Sequence, residues 1–150
     1  MSTEGNPAPW FASVDQNDAP VDLAKFAGRK VLVYFYPKAD TPGCTTQACG
    51  LRDIAADIGD TVVLGVSPDA PAALKAFDDK YNLGFTLVSD QDRSIAASYE
   101  VWVEKVKDGV AKMGILRSAF FVDETGLVTN VWLDISPADT PTNLLSALRA

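Results

Sequence analysis

Apolar residues come in two rhythms along this chain. One is the short continuous run. Residues 30–36 (Lys-Val-Leu-Val-Tyr-Phe-Tyr) and 61–66 (Thr-Val-Val-Leu-Gly-Val) are rich in β-branched and aromatic side chains and do not alternate, which predicts strands covered on both faces. Residues 10–14, 85–88, 118–122 and 127–132 predict further strands. Asp123-Glu124-Thr125-Gly126 separates the last two as a turn, so that pair predicts an antiparallel hairpin. Residues 20–23 predict the return arm of another hairpin after the turn chemistry of Asp15-Gln16-Asn17-Asp18, and residues 22–26 before Gly28 predict one short helical turn. The other rhythm is helical. Cys44, Ala48, Leu51, Ala55 and Ile58 predict one apolar stripe on a helix ending near Gly59. Leu74, Phe77 and Tyr81 follow Pro71 at helical spacing, and Ser89-Asp90 precedes a helix through Ile95 to Tyr99. Leu144, Leu145 and Leu148 predict the buried side of a last helix over residues 141–149. Residues 1–9 read as a loose lead-in with Pro7 and Pro9, and residues 101–114 read only as a charged segment.

The order strand–helix three times over, then a hairpin and a terminal helix, predicts an α/β fold: a mixed sheet with helices on both faces. At 150 residues the chain has the length of one domain, residues 1–150, and is long enough for a proper core. Cys44 falls just past the carboxyl end of the predicted central strand, where open α/β sheets place their sites.

Composition narrows the chemistry. With 47% hydrophobic and 22% charged residues the chain is globular rather than disordered. The net charge of −7, with Lys105 and Lys107 flanked by Glu104 and Asp108, argues against nucleic acid and anionic membrane as partners. No apolar run approaches the roughly 20 residues of a membrane span. The first residues carry no signal-peptide pattern, so a cytoplasmic protein is expected. There is no histidine, which removes Ser-His and Cys-His catalysis and the usual zinc sites. The two cysteines are too few for a disulfide scaffold.

Those cysteines stand where a proline- and glycine-bearing loop gives way to a helix. The free N–H groups and positive dipole of a helix N-terminus favour a thiolate, so Cys44 reads as a nucleophile and Cys49 as its partner. The plainer alternative is that either is a small buried hydrophobe. In an intact α-helix residues i and i+5 have Cα atoms roughly 8–9 Å apart, whereas a disulfide needs about 4.4–6.8 Å. If the two bond, the first turns must unwind. Gly50 then reads either as a residue that weakens the helix or as one that permits close packing.

At these residues the chain resembles the peroxiredoxins. Their signature of proline, three residues, threonine, two residues and cysteine is matched in full by Pro37-Lys38-Ala39-Asp40-Thr41-Pro42-Gly43-Cys44. Cys44-Thr45-Thr46-Gln47-Ala48-Cys49 is similar to the peroxiredoxin Q branch, also called bacterioferritin comigratory protein. Gly65-Val66-Ser67-Pro68-Asp69, Leu87-Val88-Ser89-Asp90, Trp102 with Glu104-Lys105, and residues 114–123 echo the same branch, over about residues 8–135. The resemblance implies a thioredoxin-like fold with an N-terminal β-hairpin. It implies that Cys44 is the peroxidatic cysteine, that Thr41 hydrogen-bonds the peroxide, that Pro37 shields the thiolate from water and that Arg117 steadies thiolate and departing oxygen. Cys49 would be the resolving cysteine, forming an intramolecular disulfide.

The substrates implied are hydrogen peroxide and organic hydroperoxides such as alkyl hydroperoxides. The implied reductant is thioredoxin or a glutaredoxin-like donor, and no metal, haem or flavin cofactor is needed. Such proteins are monomers or weak homodimers. Rival readings of the same cysteine pair are a dithiol–disulfide oxidoreductase, weakened by the absence of Cys-x-x-Cys, and a redox sensor or holdase whose unwinding exposes a binding surface. Asp40 is expected to cap its loop at the surface, Arg52 and Asp53 to lie on a solvated helix face, and Trp102 and Trp132 to pack in the core or at its rim. Ala119 stands where the family commonly has threonine, Trp10-Phe11-Ala12 is an atypical start, and the last helix lacks a histidine often found there.

Overall fold

A computed structural model describes residues 4–149, so the first three residues of the predicted lead-in lie outside the described residues. The chain runs β1 (Ala12–Asp15), β2 (Pro20–Asp22), a 3-10 turn (Leu23–Phe26), β3 (Val31–Phe35), α1 (Pro42–Asp53), β4 (Val62–Ser67), α2 (Pro71–Tyr81), β5 (Thr86–Ser89) and α3 (Ser94–Ser98). It continues through β6 (Trp102–Lys107), β7 (Val110–Ile115), β8 (Ser118–Val122), β9 (Val128–Trp132) and α4 (Asp139–Arg149). Seven strands form one sheet in the order β2-β1-β5-β4-β3-β8-β9, while β6 and β7 form a separate hairpin. β3, β4 and β5 are parallel, and β8 and β1 join them antiparallel. This is the expected mixed sheet of a thioredoxin-like fold. No helix among the described residues is long and apolar enough to cross a membrane.

The unalternating run in β3 is explained by cover on both faces. Val31, Val33 and Phe35 enter one core cluster with Ile95 and Ala96 of α3, whereas Leu32, Tyr34 and Tyr36 enter another with α1, α2 and α4. Each such side chain removed from water contributes about 1.5–3 kcal/mol. Tyr34 fits because the strand partners on either side are small. It pairs with Gly65 on β4 and Ala119 on β8, and a Cβ added at Gly65 would lie 2.7 Å from the Tyr34 hydroxyl oxygen. The family-atypical Ala119 is thus a buried residue beside Tyr34 on the adjacent strand.

Several expectations need correction. The strand predicted over residues 10–14 begins at Ala12, leaving Trp10 64% exposed. The lead-in is tied down: the Gly5 amide donates to the Val128 carbonyl and the Val128 amide to the Asn6 carbonyl, satisfying backbone groups of edge strand β9. The helix from Cys44 begins earlier, at Pro42, and ends earlier, at Asp53; a 3-10 turn (Ala55–Asp57) follows, so Ala55 is exposed while Ile58 is buried. On α4 Leu144 is fully buried, but Leu145 and Leu148 are only half-buried. The charged segment is the β6–β7 hairpin, joined by Asp108 and Gly109 at φ 54° and 75°. Positive φ at both turn positions defines the type I′ turn that such a dipeptide favours.

Candidate active site

The loop after β3 is held from three sides. The Ala39 amide donates to Asp69 Oδ2 at 2.8 Å, and the Ser67 hydroxyl donates to the same oxygen at 2.7 Å. Asp40 adopts φ 59°, which costs a non-glycine residue some strain. Its carboxylate accepts from Lys80 Nζ at 2.9 Å and from the Tyr81 hydroxyl at 2.8 Å. Those two bonds, Lys80 first, hold its carboxyl below the usual range. Asp40 therefore does not cap its own loop; it straps the loop to the last turn of α2. Arg52 does not merely face solvent either: besides Asp53 it donates to the Tyr81 carbonyl at 2.7 Å, tying α1 to α2.

Thr41 is the N-cap of α1, but its side chain caps nothing; the hydroxyl donates to the Lys38 carbonyl at 2.8 Å. Pro42 occupies the first helical position, where its missing N–H is no loss. The first bond of the helix runs from the Thr45 amide to the Thr41 carbonyl, so the Gly43 and Cys44 amides belong to the turn whose N–H groups have no helical acceptor. Cys44 sits there, 1% exposed.

Arg117 arrives from the segment between β7 and β8. Its Nη2 lies 3.4 Å from Cys44 Sγ, and its Nη1 donates to Gln47 Oε1 at 2.7 Å. Gln47, fully buried, donates in turn to Thr140 Oγ1 of α4 at 2.9 Å. A guanidinium has no acceptor, so sulfur is the acceptor in its contact. Gly43 permits the approach, since a Cβ there would lie 3.1 Å from Arg117 Nη2. Tyr34 and Tyr36 complete the buried wall, their rings stacked at 5.5 Å. Burial above all raises the ionisation of both phenols far out of reach, so neither adds charge beside the sulfur. Among the described residues no acidic or thiol cluster is placed to hold a metal ion.

Of the residues singled out from sequence, Cys44 and Arg117 meet, and Thr41 is the N-cap of the helix that carries Cys44. Pro37 is exposed near the start of the loop that leaves β3. Cys49 is half-buried, and both thiols are free. They lie five residues apart within the continuous helix α1, a spacing that holds Cα atoms roughly 8–9 Å apart. Gln47 is not among the residues singled out from sequence; the signal that points to it is its place as the i+3 neighbour of Cys44 on the same helix face. Thr140 and Asp69 carry no local signal of their positions here. Trp102 is half-buried, with Arg93 5.3 Å over its ring, and Trp132 packs half-buried against the α1 core.

Gly50 is where α1 meets α4: a Cβ would fall 2.7 Å from Cγ of Pro141. That distance supports the close-packing reading. Gly50→Ala would gain about 1 kcal/mol of helix propensity but would overpack a ring on a helix, typically 1–3 kcal/mol. A net loss of stability is expected, read as a lowered thermal midpoint.

The AhpC/TSA family pattern matches residues 5–131. The chain belongs to the AhpC/TSA family. A Bcp peroxiredoxin from Haemophilus influenzae is 46% identical over 148 residues, covering 97% of this chain and 96% of that protein. Peroxiredoxin Bcp of Escherichia coli is 44% identical over 137 residues, 90% of this chain and 88% of that one. The bacterioferritin comigratory protein of Xanthomonas campestris, solved as trapped intermediate and ligand complexes bearing on its alkyl peroxide reduction activity, matches with a TM-score of 0.90 and 29% identity over 98% of each chain. The chain is thus a peroxiredoxin of the Bcp/PrxQ branch, a thiol peroxidase that uses peroxide and a thiol reductant. For a peroxiredoxin, the buried sulfur, the adjacent guanidinium and the unfilled helix amides form a chemically coherent set.

Proposed function

We propose that Cys44 is the peroxidatic cysteine of an atypical two-cysteine peroxidase acting on hydrogen peroxide and organic hydroperoxides. The observation that carries this is the 3.4 Å approach of Arg117 Nη2 to Cys44 Sγ at the first turn of α1. The Cys44 thiolate attacks the terminal peroxide oxygen; an S–O bond forms, the O–O bond breaks, and the leaving oxygen takes a proton to depart as water or alcohol. Sulfur is oxidised to a sulfenic acid and the peroxide is reduced. Negative charge spreads over sulfur and both oxygens in the transition state, where the Cys44 amide and Arg117 stabilise it. Thr41 serves differently from a plain donor. Its hydrogen is committed to the Lys38 carbonyl, which leaves its oxygen to accept the peroxide O–H. The alkyl peroxide reduction of the Xanthomonas relative supports extending the substrates beyond hydrogen peroxide.

Cys49 then attacks the Cys44 sulfur and expels hydroxide, giving an intramolecular disulfide. Within intact α1 the two sulfurs are held apart, so this step requires local unwinding of the helix. A thioredoxin-like dithiol restores both thiols by exchange. The test is mass spectrometry after one equivalent of peroxide: a Cys44–Cys49 crosslink is expected, and two unlinked thiols would overturn the cycle. Cys49→Ser is expected to complete one fast oxidation and then accumulate sulfenic and sulfinic acid at Cys44. A sustained turnover in that variant would remove Cys49 from its role.

A further inference from the structure

The β6–β7 hairpin stands outside the main sheet and has two unlike faces. Residues directly opposite in an antiparallel pair share a face, and faces alternate along each strand. The register Lys105↔Lys112 and Lys107↔Val110 therefore gathers Lys105, Lys107 and Lys112 on one face with Val110. The other face carries Glu104, Val106 and Met113. Among the paired residues this face carries three lysines and no carboxylate, with Asp108 of the turn beside it, in a chain of net charge −7.

Two features show that this face is not ordinary solvated surface. Lys105 and Lys112 stand directly opposite each other, an arrangement of like charges that weakens strand pairing. Lys105 also lies flat along the face: a Cβ at Gly114 would be 3.1 Å from its Cδ, and its ammonium donates to the Ile115 carbonyl at the foot of the hairpin. Lys107, Lys112 and Val110 stay exposed, Val110 to 55%. From that foot the chain runs through Leu116, whose amide donates to the Val101 carbonyl, straight into Arg117 at the Cys44 sulfur.

We propose that the lysine face of this hairpin is the docking surface for an acidic protein carrying the reducing dithiol. The inference rests on the peroxidase reading above and names the chemistry of its reductant. A partner of net negative charge is repelled by most of this acidic chain. It is drawn to this face, where three lysines outnumber the single neighbouring carboxylate of Asp108, and that face adjoins the segment delivering Arg117. Local complementarity of this kind steers encounter and fixes orientation, and it weakens with salt.

The test uses the full chain with hydrogen peroxide and, as probe, a thioredoxin of acidic net charge with its reductase; dithiothreitol is the uncharged comparison. In Lys107→Glu/Lys112→Glu, kcat/KM for thioredoxin is expected to fall about tenfold at low ionic strength, with the loss in KM. The wild-type salt dependence should flatten in the variant. Turnover with dithiothreitol should be unchanged, and the thermal midpoint should not fall, since Lys112→Glu replaces a like-charge pair with Lys105 by an opposite-charge one. Lys107→Arg/Lys112→Arg should behave as wild type. If the reversed variant uses thioredoxin as well as wild type does, the docking surface is overturned. If thioredoxin and dithiothreitol rates fall together, the lysines act on the fold or the chemistry, and docking is again overturned. Failure of wild type with dithiothreitol itself would instead sink the peroxidase reading.

Discussion

Cys44→Ser is expected to lose peroxide reduction by at least about 10⁴-fold, the scale on which enzymes lose activity when the nucleophile itself is removed. A serine hydroxyl at this position is a far weaker nucleophile than a thiolate, and the chain has no histidine to activate it. Neither Tyr34 nor Tyr36 can serve as base, because burial keeps both phenols protonated. The protein should still fold. Cys44 is 1% exposed, and the smaller oxygen retains Arg117 as a donor in place of the sulfur contact. The substitution therefore separates chemistry from stability. Stopped-flow peroxide consumption and trapping of sulfenic acid are the readouts, with the thermal midpoint as control. Cys49 remains in this variant, and that makes the experiment decisive. Oxidation at the wild-type rate would show that the half-buried Cys49, rather than the sulfur beside Arg117, is the reactive one.

What could be read in advance follows from how local each signal is. β3 and β4 were legible because burial on both faces writes itself as an uninterrupted run of strand formers. α1 was legible through Cys44, Ala48 and Leu51, but its end was not. Ala55 fits the helical stripe in sequence although the helix has already given way to a 3-10 turn. The β6–β7 hairpin was missed for the converse reason. Both of its faces meet solvent along most of its length, so no apolar period marks it; its one local signal is the turn dipeptide Asp108-Gly109, which the charged segment around it hid.

The site divides in the same way. Cys44, Thr41 and Pro42 lie within one loop and helix start, and their joint geometry follows from helix capping. Arg117 is 73 residues from Cys44, and only resemblance to a family pointed to it. Asp69 and Thr140 act through tertiary contacts that leave no trace in spacing. The role expected of Asp40 shifted because its ion pair with Lys80 on α2, which a sequence does not display, turns a loop cap into a strap between loop and helix.

Arg117→Met, which keeps an unbranched apolar stem and removes the charge, is expected to slow the oxidation of Cys44 by about 10²–10³-fold, the usual consequence of deleting one preorganised donor at a site of developing negative charge. Arg117→Lys should recover little of this. One guanidinium reaches Cys44 Sγ and Gln47 Oε1 together through two nitrogens, whereas an ammonium is a point charge that cannot span both in that planar geometry. A second consequence separates the kinetic role from a structural one. Gln47 is fully buried, and in Arg117→Met its carbonyl oxygen loses the donor it has there. An unsatisfied buried group costs about 1–3 kcal/mol, so the thermal midpoint should fall as well. Gln47→Met removes that polar group while leaving the guanidinium beside the sulfur. If the oxidation rate follows the charge, Gln47→Met should lose far less activity than Arg117→Met in single-turnover peroxide oxidation. If the two variants slow the reaction equally, Arg117 acts chiefly by holding α1 and α4 together through Gln47 and Thr140, and its place in the transition state is lost.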